Sequence, residues 1–234
     1  MITTDPALLL VAHGTRNPRG VEMIARLASE VSRTAGTARV AFVDVLGPSP
    51  AEVLGDDSRP TVVVPAFLAS GYHVHTDVPR EIAESGHRAV TVTDALGPDP
   101  VLARVLARRL REVGWRDGDA VVLAAAGSSD PRALRDVRCA ARMLSSLIRT
   151  TVRVGYVATA EPRVSEAVDA LRAQGARRVF IASYLLADGL FHARLHDAGA
   201  DGVAAPLGVD ADIVDLVLRR YRAGAALPWT AVRS

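Results

Sequence analysis

The chain contains an internal repeat, and this repeat constrains its fold more than any other feature. Residues His13–Arg19 in the first half correspond to Ala126–Arg132 in the second, and Phe67–His73 corresponds to Leu185–Phe191. Two similar halves, each long enough to enclose a hydrophobic core, predict two related domains. We place the first domain at residues 1–113 and the second at residues 114–234. At both matched histidine positions of the first half, the second half has an apolar residue, Ala126 or Phe191.

Each half alternates apolar runs of strand length with segments of helical spacing. This alternation predicts an α/β fold with parallel sheets. The predicted strands are Leu8–Ala12, Val40–Val45, Thr61–Phe67, Val90–Thr93, Ala120–Ala125, Val152–Val157, Arg178–Ala182 and Gly202–Ala205. The predicted helices are Gly20–Ala35, Ser49–Gly55, Pro79–Gly86, Pro100–Val113, Pro131–Ile148, Val164–Gly175, His192–Ala198 and Ala211–Tyr221. Asp77, Asp99 and Asp130 precede helix-starting prolines and are predicted to cap these helices.

The composition excludes several function classes. All 28 basic residues are arginine, so the chain has neither the lysine of a phosphate-binding P-loop nor one for Schiff-base chemistry. No strand is followed by the Gly-x-Gly-x-x-Gly pattern of a dinucleotide site. A net charge of +2 and an aromatic content of 4% argue against a nucleic-acid partner. The single cysteine, Cys139, cannot form a disulfide or a cysteine-based metal cluster within one chain.

The sequence predicts no association with a membrane. The first residues lack the basic segment of a signal peptide, and the apolar run that follows them is interrupted by His13 and Arg16. No stretch reaches the ~18 apolar residues of a membrane span. We therefore expect a cytoplasmic protein.

Three predicted strands of the first half are followed by residues with metal-binding or proton-accepting side chains. His13 follows the first strand, Asp44 ends the second, and His73 and His75 follow the third. Because parallel strands end at one edge of a sheet, we expect these side chains to lie near each other. Imidazole suits Fe²⁺, Co²⁺, Ni²⁺ or Zn²⁺, but two histidines are too few for a closed structural site. The pattern therefore predicts an open, transient metal site, to which Asp44 adds a carboxylate.

The remaining histidines are less informative. His192 and His196 are spaced to share one helical face, which favours a surface position in the absence of a third ligand. His87 lies in a predicted turn before a strand, and we interpret it as structural.

One pair of motifs resembles a known family. Val11–Arg16, followed some distance later by Gly71–Pro79, is similar to the sirohydrochlorin chelatases, which are class II, ATP-independent chelatases. The resemblance covers nearly the whole chain and is to the long, single-chain form. It implies that His13 and His73 bind the incoming metal and that Asp44 takes the place of a family glutamate. The aspartate is one methylene shorter than that glutamate, and His75 has no counterpart in the family motif.

The resemblance also implies a fold and an activity. The expected fold is two flavodoxin-like or chelatase-like lobes, in a monomer with pseudo-twofold symmetry. The expected enzyme is a lyase that inserts Fe²⁺ into sirohydrochlorin to form sirohaem, or Co²⁺ in a cobalamin route, with the metal as substrate and without a permanently bound cofactor. Expected contacts to the tetrapyrrole come from Arg16, Arg19, His75, Ser128 and Ser129, and Arg80 is a further candidate to pair with its carboxylates.

Two other function classes compete with this interpretation. One is a carrier that binds a metal or tetrapyrrole without catalysis, which a comparison with the spontaneous metallation rate would identify. The other is a phosphohistidine phosphatase or mutase, in which an arginine precedes the histidine to hold phosphate. Ala12 stands at that position here, which disfavours the second class.

Overall fold

The computed structural model describes residues 5–227, and every predicted strand and helix is present there. The strands are β1 (Ala7–Ala12), β2 (Ala38–Phe42), β3 (Thr61–Pro65), β4 (Val90–Val92), β5 (Ala120–Ala125), β6 (Val152–Tyr156), β7 (Val179–Tyr184) and β8 (Gly202–Val203). The helices are α1 (Pro18–Ala35), α2 (Pro50–Gly55), α3 (Val78–Ser85), α4 (Pro100–Glu112), α5 (Pro131–Ile148), α6 (Val164–Ala173), α7 (Leu190–Leu195) and α8 (Ala211–Ala225). A π-helical turn, His73–Asp77, precedes α3 and was not predicted.

The strands form two parallel sheets with the same topology. The first has the order β2-β1-β3-β4 and the second the order β6-β5-β7-β8. In the first sheet Leu10 pairs with Val40 on one side and with Val64 on the other. This arrangement confirms the predicted α/β fold with two similar lobes. Strand order reverses beside β1, and open α/β sheets bind ligands at the carboxyl edge of such a switch point.

Apolar strands hold each sheet in the centre of its unit. Every residue of β1 and β3 is buried, which is typical of parallel strands covered by helices on both faces. One core cluster of the first unit packs Leu9, Val11 and Val63 against helix residues such as Leu54 and Val78. This packing fixes the position of the strands, while the loops at their carboxyl ends remain exposed and can carry polar groups.

The two compact units do not follow the boundary predicted at residues 113 and 114. Among the described residues, the first unit comprises 5–96 and 213–227 and the second comprises 97–212. Helix α4 packs on α5 and β7 of the second unit. Helix α8 packs on the first, where the Tyr221 hydroxyl donates to Pro6 O at 2.6 Å and Arg220 Nε donates to Ala95 O at 3.2 Å. The predicted boundary follows the sequence repeat, whereas the packing exchanges the last helix of each half.

Asp99 and Asp130 cap their helices as predicted, but Asp77 does not. The Asp99 carboxylate accepts from Val101 N at 2.9 Å, and that of Asp130 accepts from Arg132 N at 2.8 Å. Asp77 has helical backbone angles, and its side chain makes no capping bond to α3. The cause is the π-helical turn, which already occupies the position where a cap would stand.

A glycine follows the central strand of each sheet because a neighbouring loop approaches its backbone. A side chain at Gly14 would overlap the carbonyl oxygen of Asp44, and one at Gly127 would overlap that of Ala158. Gly127 also has a φ of 99°, in the region that favours glycine. The two loops therefore close in the same way in both units. Within the described residues no helix is long and apolar enough to span a membrane.

The close approach at Gly127 predicts a large loss of stability for Gly127→Ala. The added methyl group must displace the Ala158 carbonyl, and the alanine must adopt a positive φ. We therefore expect the free energy of unfolding to fall by about 3 kcal/mol or more. Gly175→Ala is the matched control, because Gly175 has a φ of 92° but open space around it. Its expected cost is only about 1–2 kcal/mol. Urea unfolding followed by circular dichroism measures both variants, and equal losses would contradict the steric explanation.

Candidate functional site

The predicted polar residues of the first half meet at the carboxyl edge of the first sheet. His13 directly follows β1, Asp44 lies in the loop after β2, and His73 opens the π-helical turn after β3. The Val43 N–H donates to Ala12 O at 3.1 Å, so the β2 loop continues the ladder beside His13. The topology therefore brings three separate segments of the sequence to one place.

The two histidine rings are in contact. Their centroids lie 4.7 Å apart with the ring planes perpendicular. His13 Nε2 is 3.9 Å from Asp44 Oδ2. The His13 side chain is 48% exposed and that of His73 is 33% exposed, so an incoming ion can reach both rings from solvent.

Hydrogen bonds at Nδ1 determine which nitrogen of each ring can bind a metal. His13 Nδ1 lies 2.6 Å from Gly14 O, and His73 Nδ1 lies 2.6 Å from Asp77 Oδ2. A carbonyl or an ionised carboxylate can only accept, so in both rings Nδ1–H is the donor. The Nε2 atoms of His13 and His73 therefore carry the free lone pairs when the rings are neutral.

Asp77 contacts His73 of the imidazole pair instead of forming the cap of α3 that the sequence had predicted. Its side chain is 8% exposed, and it holds His73 Nδ1 with one oxygen and Arg80 Nη1 with the other, at 3.0 Å. The spacing of four residues between His73 and Asp77 is the signal that could have indicated the pair. A cap at the start of α3 was the simpler interpretation of the same aspartate.

Asp44 is exposed, and its own loop orients it. Its Oδ1 accepts from Val45 N at 2.7 Å, while Oδ2 faces His13. Val45 has a φ of 67°, which is unusual for a β-branched residue. This loop conformation lets Asp44 stand beside the imidazole pair.

The site is open rather than closed. Within residues 5–227 no group of three histidine, cysteine, aspartate or glutamate side chains is arranged to hold a metal ion. The nitrogen donors available at this edge belong to His13 and His73, and the Asp44 carboxylate lies 3.9 Å from His13 Nε2. Such a donor set suits an ion that is bound transiently.

The arginines predicted to bind substrate differ in availability. Arg16 and Arg19 are exposed, in the turn after His13 and in the first turn of α1. Arg80 instead lies within 3.0 Å of Asp77, 3.4 Å of Glu81 and 3.7 Å of Glu84. A hydrogen bond to Glu81 raises the pKa of Arg80. Arg80 already pairs with acidic side chains of its own chain, and these contacts do not suit the role expected for it toward substrate carboxylates.

The other predicted residues lie in different settings. His75 is exposed on the π-helical turn, where its backbone N–H donates to Gly71 O at 3.1 Å. Ser128 and Ser129 follow β5, the strand of the second unit that corresponds to β1. Ser128 Oγ accepts from Asp130 N at 3.0 Å, and Asp130 in turn caps α5.

His192 and His87 make structural contacts. His192 Nδ1 is 2.9 Å from Asp188 Oδ1, and its Nε2 is 3.2 Å from Ala204 O. Because a protein oxygen lies at hydrogen-bond distance from each ring nitrogen, neither nitrogen is open to a metal ion, although His196 lies close, with a ring centroid 5.2 Å away. His87 Nε2 donates to Arg59 O at 3.0 Å and its Nδ1 accepts from Ala89 N at 3.2 Å.

Exposed apolar side chains flank the imidazole pair on both sides. Val45 and Leu46, next to Asp44, are 47% and 37% exposed. Tyr72, next to His73, is 55% exposed, and its ring centroid lies 6.0 Å from that of His73. Large apolar groups beside an open polar site are typical of ligand-binding surfaces.

Comparison with known proteins supports the resemblance. The CbiX family model matches residues 7–113 and again residues 120–223. A sirohydrochlorin ferrochelatase of Priestia megaterium is 25% identical over 197 residues, which cover 79% of this chain and 74% of the relative. A sirohydrochlorin cobaltochelatase of Saccharolobus islandicus is 27% identical over 119 residues, covering 45% of this chain and 93% of the relative.

A solved structure has the same fold. The structure of SirB from Bacillus subtilis with Fe³⁺ has a TM-score of 0.81 and 22% identity, covering 95% of this chain and 96% of that one. Because the family model matches two successive segments that together make up most of the sequence, this chain belongs to the CbiX family.

Proposed function

We propose that this protein is a lyase that inserts a divalent metal ion, with Fe²⁺ favoured, into sirohydrochlorin to form sirohaem without ATP. The observation that carries the proposal is the contact between His13 and His73, each with a free Nε2 lone pair at an exposed sheet edge. The named activities of the relatives, ferrochelatase and cobaltochelatase of sirohydrochlorin, agree with such a site. The absence of a P-loop pattern from the sequence fits a reaction without nucleotide.

The metal ion is a substrate in this proposal, and the chain holds no permanent cofactor. Two neutral imidazoles bind a partly dehydrated ion without enclosing it, so the ion can move on to the tetrapyrrole nitrogens. Insertion releases two pyrrole protons. Asp44, whose carboxylate faces His13 at 3.9 Å and is open to solvent, is the group that we assign to accept them and pass them to water.

The surroundings of the pair suit a flat ring that carries carboxylates. Val45, Leu46 and Tyr72 offer apolar surface to the ring face. Arg16 and Arg19 are exposed near His13 and can pair with carboxylates. We also propose that Ser128 and Ser129 contribute substrate contacts, and that His75 lies near the substrate periphery.

Cobalt insertion at the same site is the second candidate activity. Imidazole nitrogen accepts both Fe²⁺ and Co²⁺, and selectivity in cells depends largely on supply. The similarity to a cobaltochelatase favours keeping this candidate. We further propose a monomer, because one chain contains both family repeats. A cytoplasmic location is proposed because the chain has only a single cysteine. A non-catalytic carrier is the alternative outcome of the tests below.

Removal of either imidazole is expected to abolish catalysis. Under anaerobic conditions the wild type should metallate sirohydrochlorin faster than buffer, with Fe²⁺ and separately with Co²⁺. His13→Ala and His73→Ala should each reduce the rate to that of the spontaneous reaction, because one nitrogen donor cannot hold the ion above the ring. Absorbance of the tetrapyrrole reports the reaction.

His196→Ala is the matched control, because His196 is an exposed histidine of the second unit. This variant should keep the wild-type rate. A wild-type rate equal to the rate in buffer would contradict the proposed enzyme and favour a binding protein.

Tyr72 is expected to affect tetrapyrrole binding but not metal binding. Tyr72→Ala removes an exposed ring beside His73, so the KM for sirohydrochlorin should rise roughly tenfold. Tyr72→Phe retains the ring and should remain close to the wild type. Steady-state kinetics give the KM, and calorimetric titration with Co²⁺ checks that metal affinity is unchanged. A KM unaffected in the alanine variant would exclude Tyr72 from the substrate surface.

A further inference from the structure

Asp77 is the only buried carboxylate in the part of the chain from residue 5 to residue 227. Its residue exposure is 6%, and the other buried polar residues of that part, Thr61 and Ser183, are uncharged. A buried carboxylate is costly unless charged or hydrogen-bonding groups compensate for the lost hydration. Asp77 therefore requires an explanation that its helix does not provide, since it makes no capping bond to α3.

Both oxygens of Asp77 are occupied. Oδ2 accepts from His73 Nδ1 at 2.6 Å, and Oδ1 pairs with Arg80 Nη1 at 3.0 Å. The positive guanidinium compensates for burial of the carboxylate, and the short contact to the imidazole fixes the ring. Arg80, Asp77 and His73 thus form a chain of polar contacts that leads from the surface of α3 to the imidazole pair of His13 and His73.

The local backbone is unusual at the same residues. The Val78 N–H donates to His73 O, five residues earlier, as in a π-helix. π-helical turns inside helices are rare and often occur at functional sites. This turn places His73 and Asp77 at its two ends with their side chains in contact.

The second unit provides an internal comparison. Its helix at the corresponding place, α7, is α-helical, and the residue that this helix buries is Leu195. The position matched to His73 is Phe191. Where the imidazole is missing, the π-helical turn is missing too and the buried residue is apolar, although the fold of the sheet is the same. The buried carboxylate therefore accompanies the histidine rather than the fold.

We propose that Asp77 is the positioning residue of His73. By accepting from Nδ1–H, it holds the ring in the tautomer that has its lone pair on Nε2 and strengthens that nitrogen as a donor to an incoming divalent cation. Arg80 keeps the Asp77 carboxylate in place from its other side. This inference rests on the proposed function, in which His13 and His73 bind the metal ion, but it concerns metal binding and not catalysis.

Titration of the metal-free protein with Co²⁺ tests the role of Asp77. Asp77→Leu removes the acceptor and introduces the type of residue that α7 buries, and its Co²⁺ affinity should fall by about 10–100-fold. Asp77→Asn retains an acceptor oxygen and should lose less. Glu84→Gln is the control and should bind as the wild type does, because Glu84 lies 3.7 Å from Arg80 Nε, whereas Asp77 pairs with Arg80 Nη1.

Nitrogen-15 NMR of the imidazoles gives a readout that a merely structural role would not move. The wild type should show His73 with the proton on Nδ1, and this signal should persist in Asp77→Asn and be lost in Asp77→Leu. If the leucine variant does not fold, the asparagine variant tests the inference alone. It should keep the proton on His73 Nδ1 and bind Co²⁺ several-fold more weakly than the wild type.

Three results would overturn the inference. These are wild-type Co²⁺ affinity in Asp77→Leu, wild-type affinity in Asp77→Asn when the leucine variant is unfolded, and an unchanged His73 tautomer in Asp77→Leu. A wild type that binds no Co²⁺ would instead count against the proposed metal site itself. A wild type that binds Co²⁺ without accelerating metallation would contradict only the proposed catalysis.

Discussion

The geometry of the site depends on the hydrogen bonds of β1 to both of its neighbours. Ala12 O accepts from Val43 N at 3.1 Å, and Val11 O accepts from Ala66 N at 2.7 Å. These bonds hold the ends of three parallel strands level, so that the residues after them share one edge. Gly14 then allows the Asp44 loop to approach without steric overlap. The contact between residues far apart in sequence is therefore a property of the sheet before it is a property of the side chains.

The second unit has the same backbone arrangement without the same chemistry. Gly127 approaches Ala158 O as Gly14 approaches Asp44 O, and strand order is identical. Ala126 and Phe191 replace the two histidines. Because the same sheet and loops also form with apolar residues at these positions, the fold does not require the imidazoles of the first unit. This difference between equivalent backbones is a stronger argument for a functional site than the presence of two histidines alone.

Sequence reasoning predicted the strands and the helices, because their periods follow from apolar patterning. It also predicted the edge at which His13, Asp44 and His73 meet, because parallel strands end at one edge of a sheet. It placed the division of the chain at residue 113, whereas α4 and α8 pack on the opposite units. Apolar helix faces show that a helix is packed but not which sheet it covers. It also missed the π-helical turn and the pairing of Asp77, because a single extra residue in a helical turn leaves no periodic signal and an aspartate before a helix is usually a cap.

A site that transfers a metal must bind the ion without retaining it. A third strong ligand would increase affinity and close the coordination sphere, as in structural metal sites. The residues at this edge supply two imidazole nitrogens, with a carboxylate at 3.9 Å from one of them. In the proposed site, the contact from Asp77 to His73 is made at Nδ1 and leaves Nε2 to bind the metal, so it raises the donor strength of the ring while the coordination sphere stays open. A buried outer carboxylate is thus a way to tune affinity that leaves room for the tetrapyrrole to take the ion.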